Sequence, residues 1–519
     1  MEKDHTLWSP DPIPEISDRL GWLNLPNEME SRLQYIQRFA EDIRKNEFDY
    51  AVILGMGGSS LAPEVFKETF GSAHGCPELI VCDSTHPDAI KHITKTIELK
   101  KTLFIVSSKS GTTIETLSFF RYFWHLASKK NSQPGDCFVA ITDAGTPLEK
   151  LAIEREFRAV FKAPSDVGGR FSAFTEFGLV PASLIGVPVS DVLLNARAAL
   201  FNCFFKDLNE KNSALLLAAA LGELAYRENK LTFITSPSLQ SFPSWLEQLI
   251  SESLGKNGKG LVTVVDETLA SVDSYGKDRA FVYFYIKGEE SKEVLFLLKS
   301  LEERSYPTIL IPLAKKEVLG QEIFRWEVAV AVAGSILKIN PFNQPDIVLT
   351  KELTREMTDM NEEGTPKETQ AETIDASDSV RLKSSLAELL SLSRPGDYIV
   401  IQAFLPPNKK TKNALQDIRL QLLNRTHLAT TIGFGPRFLH STGQLHKGGP
   451  NNGIFVQLVD DSLEDIDIPE TQYSFRTLIK AQSLGDFHAL KQKGRRIIRI
   501  NLGKVPLKGL DAIAKTFCS

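Results

Sequence analysis

The sequence predicts an α/β protein with two doubly wound parallel-sheet domains in tandem. Three observations support this fold class. Short β-branched runs alternate with longer helical patterns, which is typical of parallel sheets covered on both faces. The 519 residues suit three or four domains of about 150 residues each, or two large ones. Hydrophobic residues make up 42% of the chain, and together with the 33 glycines they reach the ordinary proportion of a globular protein.

The first domain is predicted at residues 46–190, after an N-terminal helical segment at residues 1–45. Helical patterns at residues 62–69 and 113–128 separate apolar runs that are short enough to be buried strands. These predicted strands are residues 51–54 (AVIL), 79–82 (LIVC), 102–106 (TLFIV) and 137–142 (CFVAIT).

The second domain is predicted at residues 229–351. A helical stretch rich in Ala and Leu, at residues 191–228, connects it to the first. Its sequence repeats the alternation of strand and helix, which again favours a parallel sheet. The predicted strands are residues 231–235 (LTFIT), 261–265 (LVTVV), 280–286 (AFVYFYI) and 308–311 (TILI).

The composition changes after residue 351. Residues 352–380 are acidic and poor in large apolar side chains, so we predict a solvated linker there. Residues 381–519 return to strand-like runs, and we predict that this C-terminal block completes the second domain. Its predicted strands are residues 398–404 (YIVIQAF), 454–458 (IFVQL) and 497–500.

Charge and cysteine content restrict the classes of protein. The 60 basic and 65 acidic residues leave no basic surface expected for nucleic acid. No apolar run reaches the ~18 residues of a membrane span, and none follows the N-terminus as in a secretory signal. The five cysteines are scattered and form no CxxC pair, so we expect reduced thiols, a cytoplasmic location and no structural metal site.

A glycine-rich turn, GMGGSS at residues 55–60, follows a predicted strand and precedes a helix. Gly58 and Ser59 therefore lie where the backbone can approach an anionic ligand at a helix N-terminus. The same turn is also a common structural device. A dinucleotide-binding turn is the other alternative, but its G-x-G-x-x-G spacing is absent.

A second turn, SSKSGTTIET at residues 107–116, is rich in hydroxyl groups. Hydroxyls beside free backbone N–H groups can surround a phosphate with neutral donors, which makes this a candidate phosphate site. The alternative is a cluster of helix-capping side chains, although so many hydroxyls beside Gly111 exceed what a cap needs. No Walker G-x-x-x-x-G-K-[ST] pattern occurs, so nothing indicates ATP.

With these two turns, GMGGSSLAP and SSKSGTTIET, the chain resembles the phosphoglucose isomerase family and its sugar-isomerase (SIS) type of domain. Together the matching segments extend over most of the chain from residue 51 onward. Four further segments are similar to family blocks: VGGRFS at 167–172, QLISESLGK at 248–256, NPFNQP at 340–345 with Lys351 where that block ends, and HSTGQLHKG at 440–448.

The order of these segments departs from the family. The histidine block usually lies between the glutamate block and the glutamine–lysine block, whereas here it comes last. This order resembles the isomerase half of fused transaldolase–phosphoglucose isomerase proteins. The C-terminal block therefore resembles a transposed piece of the second domain.

The resemblance implies interconversion of glucose 6-phosphate and fructose 6-phosphate, without a cofactor or metal. A proton moves between C1 and C2 through a cis-enediol after the ring opens. The implied catalytic residues are Glu252 for the proton, Arg170 for the enediolate, and His440 with Lys351 for ring opening. The implied substrate-binding residues are Gly58, Ser59, Ser108, Lys109 (through its backbone), Ser110, Thr113 and Gln344.

The family is typically a homodimer whose catalytic histidine reaches into the partner's site, which implies a homodimer here. Two alternatives remain at this point. Another SIS-type isomerase, acting on mannose phosphate or an amino-sugar phosphate, would use the same phosphate turns. A non-catalytic sugar-phosphate sensor would also keep them, but such regulators usually carry a DNA-binding helical domain, and no basic candidate for one precedes residue 51.

Overall fold

Three separate parallel β-sheets form the framework of the protein in its computed structural model, which describes residues 3–203, 212–347, 373–461 and 464–518. The α/β class with parallel sheets is thus confirmed. The described α-helices are α1 Leu25–Glu28, α2 Glu30–Lys45, α3 Gly58–Phe70, α4 Pro87–Thr96, α5 Ile114–Ser128, α6 Pro147–Glu154, α7 Glu176–Leu184, α8 Val189–Cys203, α9 Ser213–Leu224, α10 Phe242–Leu254, α11 Lys292–Glu302, α12 Leu319–Ile336, α13 Ser379–Ser391, α14 Lys409–Thr426, α15 Gly443–Gly448, α16 Phe475–Gln492 and α17 Pro506–Cys518.

The first sheet has five strands in the order β2-β1-β3-β4-β5. All four strands predicted in this region are present. The apolar runs at 51–54, 102–106 and 137–142 are buried on both faces of the sheet, whereas the run at 79–82 lies at its edge and is partly exposed. The fifth was missed because it lies at the edge, is half-exposed and carries Lys162. The strands are β1 Tyr50–Gly55, β2 Glu78–Cys82, β3 Thr102–Ser107, β4 Phe138–Asp143 and β5 Ala159–Ala163.

The second sheet has four strands in the order β7-β6-β8-β9, and all four were predicted. The predicted connector contains helices α8 and α9, with residues 204–211 outside the described part. Both helices pack on α12, and the same continuous core underlies the first and second sheets. The strands are β6 Lys230–Thr235, β7 Val262–Val264, β8 Arg279–Ile286 and β9 Thr308–Leu313.

The C-terminal block forms a third sheet, in the order β10-β14-β13-β11-β12, instead of adding strands to the second. The prediction that it completes the second domain was wrong in this respect, because the block supplies enough strands and helices to bury an apolar core of its own. The third sheet packs on β7 through a small shared cluster. The strands are β10 Thr373–Asp375, β11 Tyr398–Phe404, β12 Ala429–Phe434, β13 Gly453–Val459 and β14 Arg496–Asn501.

The predicted acidic linker at residues 352–380 ends earlier than expected. Its residues 352–372 lie outside the described part of the chain. Thr373–Asp375 pairs with β14 at the edge of the third sheet, and α13 already begins at Ser379. The short strand was missed because three residues give too little alternation to be recognised. In the described ranges, no helix is both long and apolar enough to cross a membrane.

Candidate active site

The two predicted ligand turns lie side by side because they follow neighbouring parallel strands. Gly55 at the end of β1 pairs with Ser107 at the end of β3. Both turns therefore lie at the carboxyl edge of the first sheet, where ligands of doubly wound folds commonly bind. Gly57, the N-cap residue of α3, adopts a positive φ of 56°, a conformation that favours glycine.

The hydroxyl-rich turn is organised by its own side chains. The Oγ of Ser108 lies 2.9 Å from the Oγ1 of Thr113 and accepts a hydrogen bond from the N–H of Gly111. The hydroxyls of Ser110 and Thr112 are exposed and lie 2.9 Å apart. The turn thus presents hydroxyl groups at the surface. These neutral donors can bind a phosphate without a lysine side chain.

The side chain of Lys109 points away from this group of hydroxyls. Its ammonium forms an ion pair with Asp143 and donates to the carbonyl of Ser165. Burial raises the pKa of Asp143, and Lys109 opposes that shift. With the side chain engaged in this way, the backbone of Lys109 is the part of this residue left to contact a ligand.

Arg170 and Glu252 form a buried ion pair. Each is 4% exposed, and Nε of Arg170 lies 3.2 Å from Oε2 of Glu252. The guanidinium also donates to the carbonyls of residues 341, 342 and 343, immediately before Gln344. Burial lowers the pKa of Arg170, and Glu252 opposes the shift. A single arginine thus joins the candidate proton carrier to the segment that carries Gln344.

Aromatic packing fixes the loop that carries Arg170. The ring of Phe171 lies against Trp22, with centroids 4.8 Å apart, and against Phe342, with centroids 5.4 Å apart. The loop also packs on α3, where an ideal Cβ placed on Gly58 would lie only 2.0 Å from the carbonyl oxygen of Gly169. Gly58 is therefore needed for this close approach.

His440 lies beside the first turn and beside the helix that carries Glu252. An ideal Cβ on Gly57 would be 3.3 Å from the Cβ of His440. The carbonyl of His440 accepts a 2.8 Å hydrogen bond from Gln248, which precedes Glu252 by one turn of α10. The imidazole Nε2 lies 3.0 Å from Oε1 of the buried Glu115. One chain thus supplies both His440 and Glu252.

The comparisons with known proteins agree with this geometry. The family model described as phosphoglucose isomerase matches residues 28–277, which include both ligand turns, Arg170 and Glu252. This match, together with relatives that are 28% identical over about two thirds of the chain, shows similarity to the phosphoglucose isomerase family. The matched range ends before the segments at 340–345 and 440–448, whose order differs from that of the family.

Two relatives match about two thirds of this chain. A probable glucose-6-phosphate isomerase of Methanococcus maripaludis is 28% identical over 380 residues, covering 66% of this chain and 85% of the relative. A glucose-6-phosphate isomerase of Carboxydothermus hydrogenoformans is 28% identical over 392 residues, covering 64% and 84%.

Two solved structures share the fold. A hypothetical protein of Thermus thermophilus superposes with a TM-score of 0.62 at 25% identity, covering 68% of this chain and 93% of that protein. A glucose-6-phosphate isomerase of Chlamydia trachomatis gives a TM-score of 0.55 at 21% identity, covering 68% and 77%.

Sequence reasoning missed several polar residues of this phosphoglucose isomerase-type site. Glu115 and Gln248 lie inside the quoted blocks but were not singled out. Lys256 ends the glutamate block; it is buried and donates to the carbonyl of Asn340 at 2.5 Å. Burial, with Arg170 nearby, holds the pKa of Lys256 well below its usual value. Gln482, which donates to Glu115, has no local pattern that could reveal it.

Two other residues were predicted to belong to the site, Gln344 and Lys351. Gln344 is half-buried at the end of the segment held by Arg170. Lys351 lies outside the described residues, so its role stays a prediction. In the described ranges, no group of three or more His, Cys, Asp or Glu is placed to hold a metal ion.

Proposed function

We propose that this chain is an aldose–ketose isomerase that interconverts glucose 6-phosphate and fructose 6-phosphate. The observation that carries the proposal is the placement of two acid–base groups around one helix. The buried Glu252 is ion-paired with Arg170, and Gln248, one turn earlier on the same helix, holds the backbone of His440. This arrangement supports both ring opening and proton transfer at one site.

Glu252 would carry the proton between C1 and C2. Arg170 holds one carboxylate oxygen and places a permanent positive charge where the enediolate develops negative charge. Because both side chains are buried, this charge acts in a medium of low dielectric and stabilises the enediolate more strongly than it would in water. No external oxidant or reductant is needed, because C1 and C2 exchange oxidation level within the substrate while Glu252 takes the proton from one carbon and returns it to the other.

His440 would open the ring. Its Nε2 faces the carboxylate of Glu115, which favours the tautomer with a proton on that nitrogen. Nδ1 is then the nitrogen that exchanges a proton with the ring oxygen of the sugar. We propose Lys351 as the second group of this step, from the family resemblance alone.

The phosphate would bind to Ser108, Ser110, Thr113 and the backbone of Lys109, with Gln344 closing the site. The ion pair between Lys109 and Asp143 supports this assignment, because it leaves hydroxyls and N–H groups as the donors of the turn. Gly58 and Ser59, on the neighbouring turn, would contact the sugar.

The wider biological setting is also a proposal. The activity would serve glycolysis and gluconeogenesis in the cytoplasm. The family resemblance implies a homodimer with a histidine exchanged between subunits. In this chain His440 lies beside its own α10, so we propose that the site does not need a partner's histidine even if the protein dimerises. Light scattering of the purified protein measures the assembly directly.

A coupled assay with fructose 6-phosphate and no added metal or nucleotide tests the proposed function. The wild type should form glucose 6-phosphate, and Glu252→Gln should lower kcat by about 100-fold to 10⁴-fold, the range of general acid–base catalysis. Glu322→Gln is the matched control, because Glu322 is also a buried glutamate ion-paired with an arginine, but outside this site. Its activity should stay close to wild type.

The same assay addresses the alternatives. Turnover of mannose 6-phosphate or an amino-sugar phosphate without turnover of fructose 6-phosphate would indicate another isomerase of this fold. No turnover of any of these substrates would favour a sensor. Undiminished activity in Glu252→Gln would refute the assigned mechanism.

A further inference from the structure

A buried glutamine lies behind the Glu115–His440 pair. Gln482 is 2% exposed on α16 of the C-terminal domain. Its Nε2 donates a 2.7 Å hydrogen bond to Oε1 of Glu115. The same oxygen lies 3.0 Å from Nε2 of His440. The glutamine and the histidine thus converge on one carboxylate oxygen.

The orientation of the Gln482 amide is set from its other side. Its Oε1 accepts a 2.7 Å hydrogen bond from the hydroxyl of Thr85, which is fully buried after β2. The reversed orientation would place the amide oxygen against the carboxylate of Glu115, which is repulsive. The NH2 group therefore faces Glu115.

This arrangement links two domains through a chain of hydrogen bonds. Thr85 and Glu115 belong to the first domain, whereas Gln482 and His440 belong to the C-terminal block that forms the third sheet. A buried carboxylate is costly unless donors satisfy it, and an amide does so without adding charge. Gln482 therefore holds the Glu115 carboxylate in the position in which it contacts the imidazole of His440.

We propose that Gln482 is a positioning residue for ring opening, acting on His440 through Glu115. The proposal rests on the proposed isomerase function and deepens it. The Arg170–Glu252 pair, which would move the proton between C1 and C2, lies on other elements. Loss of the Gln482 donor should therefore impair ring opening more than proton transfer.

The variant Gln482→Glu separates the two steps. It keeps the shape of the side chain and an acceptor for Thr85, but replaces the donor to Glu115 with a carboxyl group. At pH 8 the two carboxylates repel each other, and kcat/KM for ring-forming fructose 6-phosphate should fall on the order of 10-fold to 100-fold. With 5-deoxyfructose 6-phosphate, which lacks the C5 hydroxyl needed to close the ring, kcat/KM should be largely unchanged.

The pH profile gives a second readout that a merely structural role would not move. As the pH falls, the introduced carboxyl group becomes protonated and can again donate to Glu115. Activity of Gln482→Glu on fructose 6-phosphate should therefore recover toward wild type at lower pH. Thr85→Val should change the ratio of kcat/KM for the two substrates in the same direction as Gln482→Glu. The change should be smaller, because this variant removes only the hydrogen bond that orients the amide.

Ser483→Ala is the control for a general loss of packing. Ser483 is the neighbour of Gln482 and is also buried, but its hydroxyl bonds to Arg499 and the backbone of Lys480. This variant should keep the wild-type ratio of kcat/KM for the two substrates, even if its melting temperature falls.

The outcomes distinguish the two proposals. A wild type that turns over neither substrate overturns the proposed function, and the positioning role with it. A wild type active on both, with equal losses or no loss in Gln482→Glu, overturns the positioning role alone. A loss confined to the ring-forming substrate, with recovery at lower pH, supports it.

Discussion

The contact between Gly58 and Gly169 makes the position of Arg170 sensitive to a single methyl group. In Gly58→Ala, the new Cβ would lie 2.0 Å from the carbonyl oxygen of Gly169, whereas ordinary contact begins at 3.4 Å. The loop and α3 must then separate by about 1.4 Å, the difference between these two distances. Arg170 is the next residue in the loop, so it moves with the displaced carbonyl.

Two effects of Gly58→Ala can be given a magnitude. Overpacking in a closely packed region costs about 1–3 kcal/mol of unfolding free energy. A misplacement of about 1 Å at a catalytic group lowers kcat by about 100-fold. Urea unfolding measures the first effect, and the coupled assay measures the second.

Gly168→Ala is the matched control for that loop. The nearest atom to its new Cβ would be in the ring of Phe171, at 4.0 Å, and its φ of −70° is open to any residue. Its stability should therefore stay close to wild type. A Gly58→Ala protein with wild-type kcat would refute the argument, because it would mean that α3 yields without displacing Arg170.

Two further predictions use other buried groups. Arg170→Lys keeps the charge but loses the forked contacts to Glu252 and to three carbonyls. The unfolding free energy measured in urea should therefore fall by about 2–3 kcal/mol, and kcat by at least about 100-fold. Wild-type values of both quantities would contradict this prediction. Glu247 lines a cavity of about 410 Å³ between the domains, and burial, with Asp266 nearby, raises its pKa to about 8. Because the folded state then holds a proton that the unfolded state loses above about pH 4.5, stability falls as the pH rises toward 8. Glu247→Gln should raise the unfolding free energy at pH 9 by about 2–4 kcal/mol and change it little at pH 4; equal effects at both pH values would count against the raised pKa.

Much of the framework could be predicted because it depends on local patterns. Runs such as residues 102–106 are apolar on both faces and are therefore recognisable as central parallel strands. β5 and β12 were missed because neither is a continuous apolar run. Lys162 interrupts the run in β5, and Thr430, Thr431 and Gly433 interrupt the run in β12. Pairing between strands is not local, so the separate third sheet could not be inferred from the runs alone.

The residues of the candidate site also fall into two groups: those that a local sequence pattern reveals and those that only the fold reveals. Arg170 and Glu252 were found because each lies in a compact block of unusual residues. Glu115 and Gln482 meet across 367 positions of the chain, and neither has a spacing that marks its chemistry. Such a pair becomes visible when the fold brings α5 and α16 together.

The transposed order of the histidine block has a structural explanation. Arg437, three residues before His440, forms ion pairs with Glu64 on α3 and with Asp83 after β2. Although burial alone would lower it, these two carboxylates raise the pKa of Arg437. The ion pairs of Arg437 and the hydrogen bond from Gln248 position His440 through contacts with the first two domains. Because those contacts do not depend on where the block lies in the chain, a C-terminal domain can deliver the histidine as well as an internal segment can.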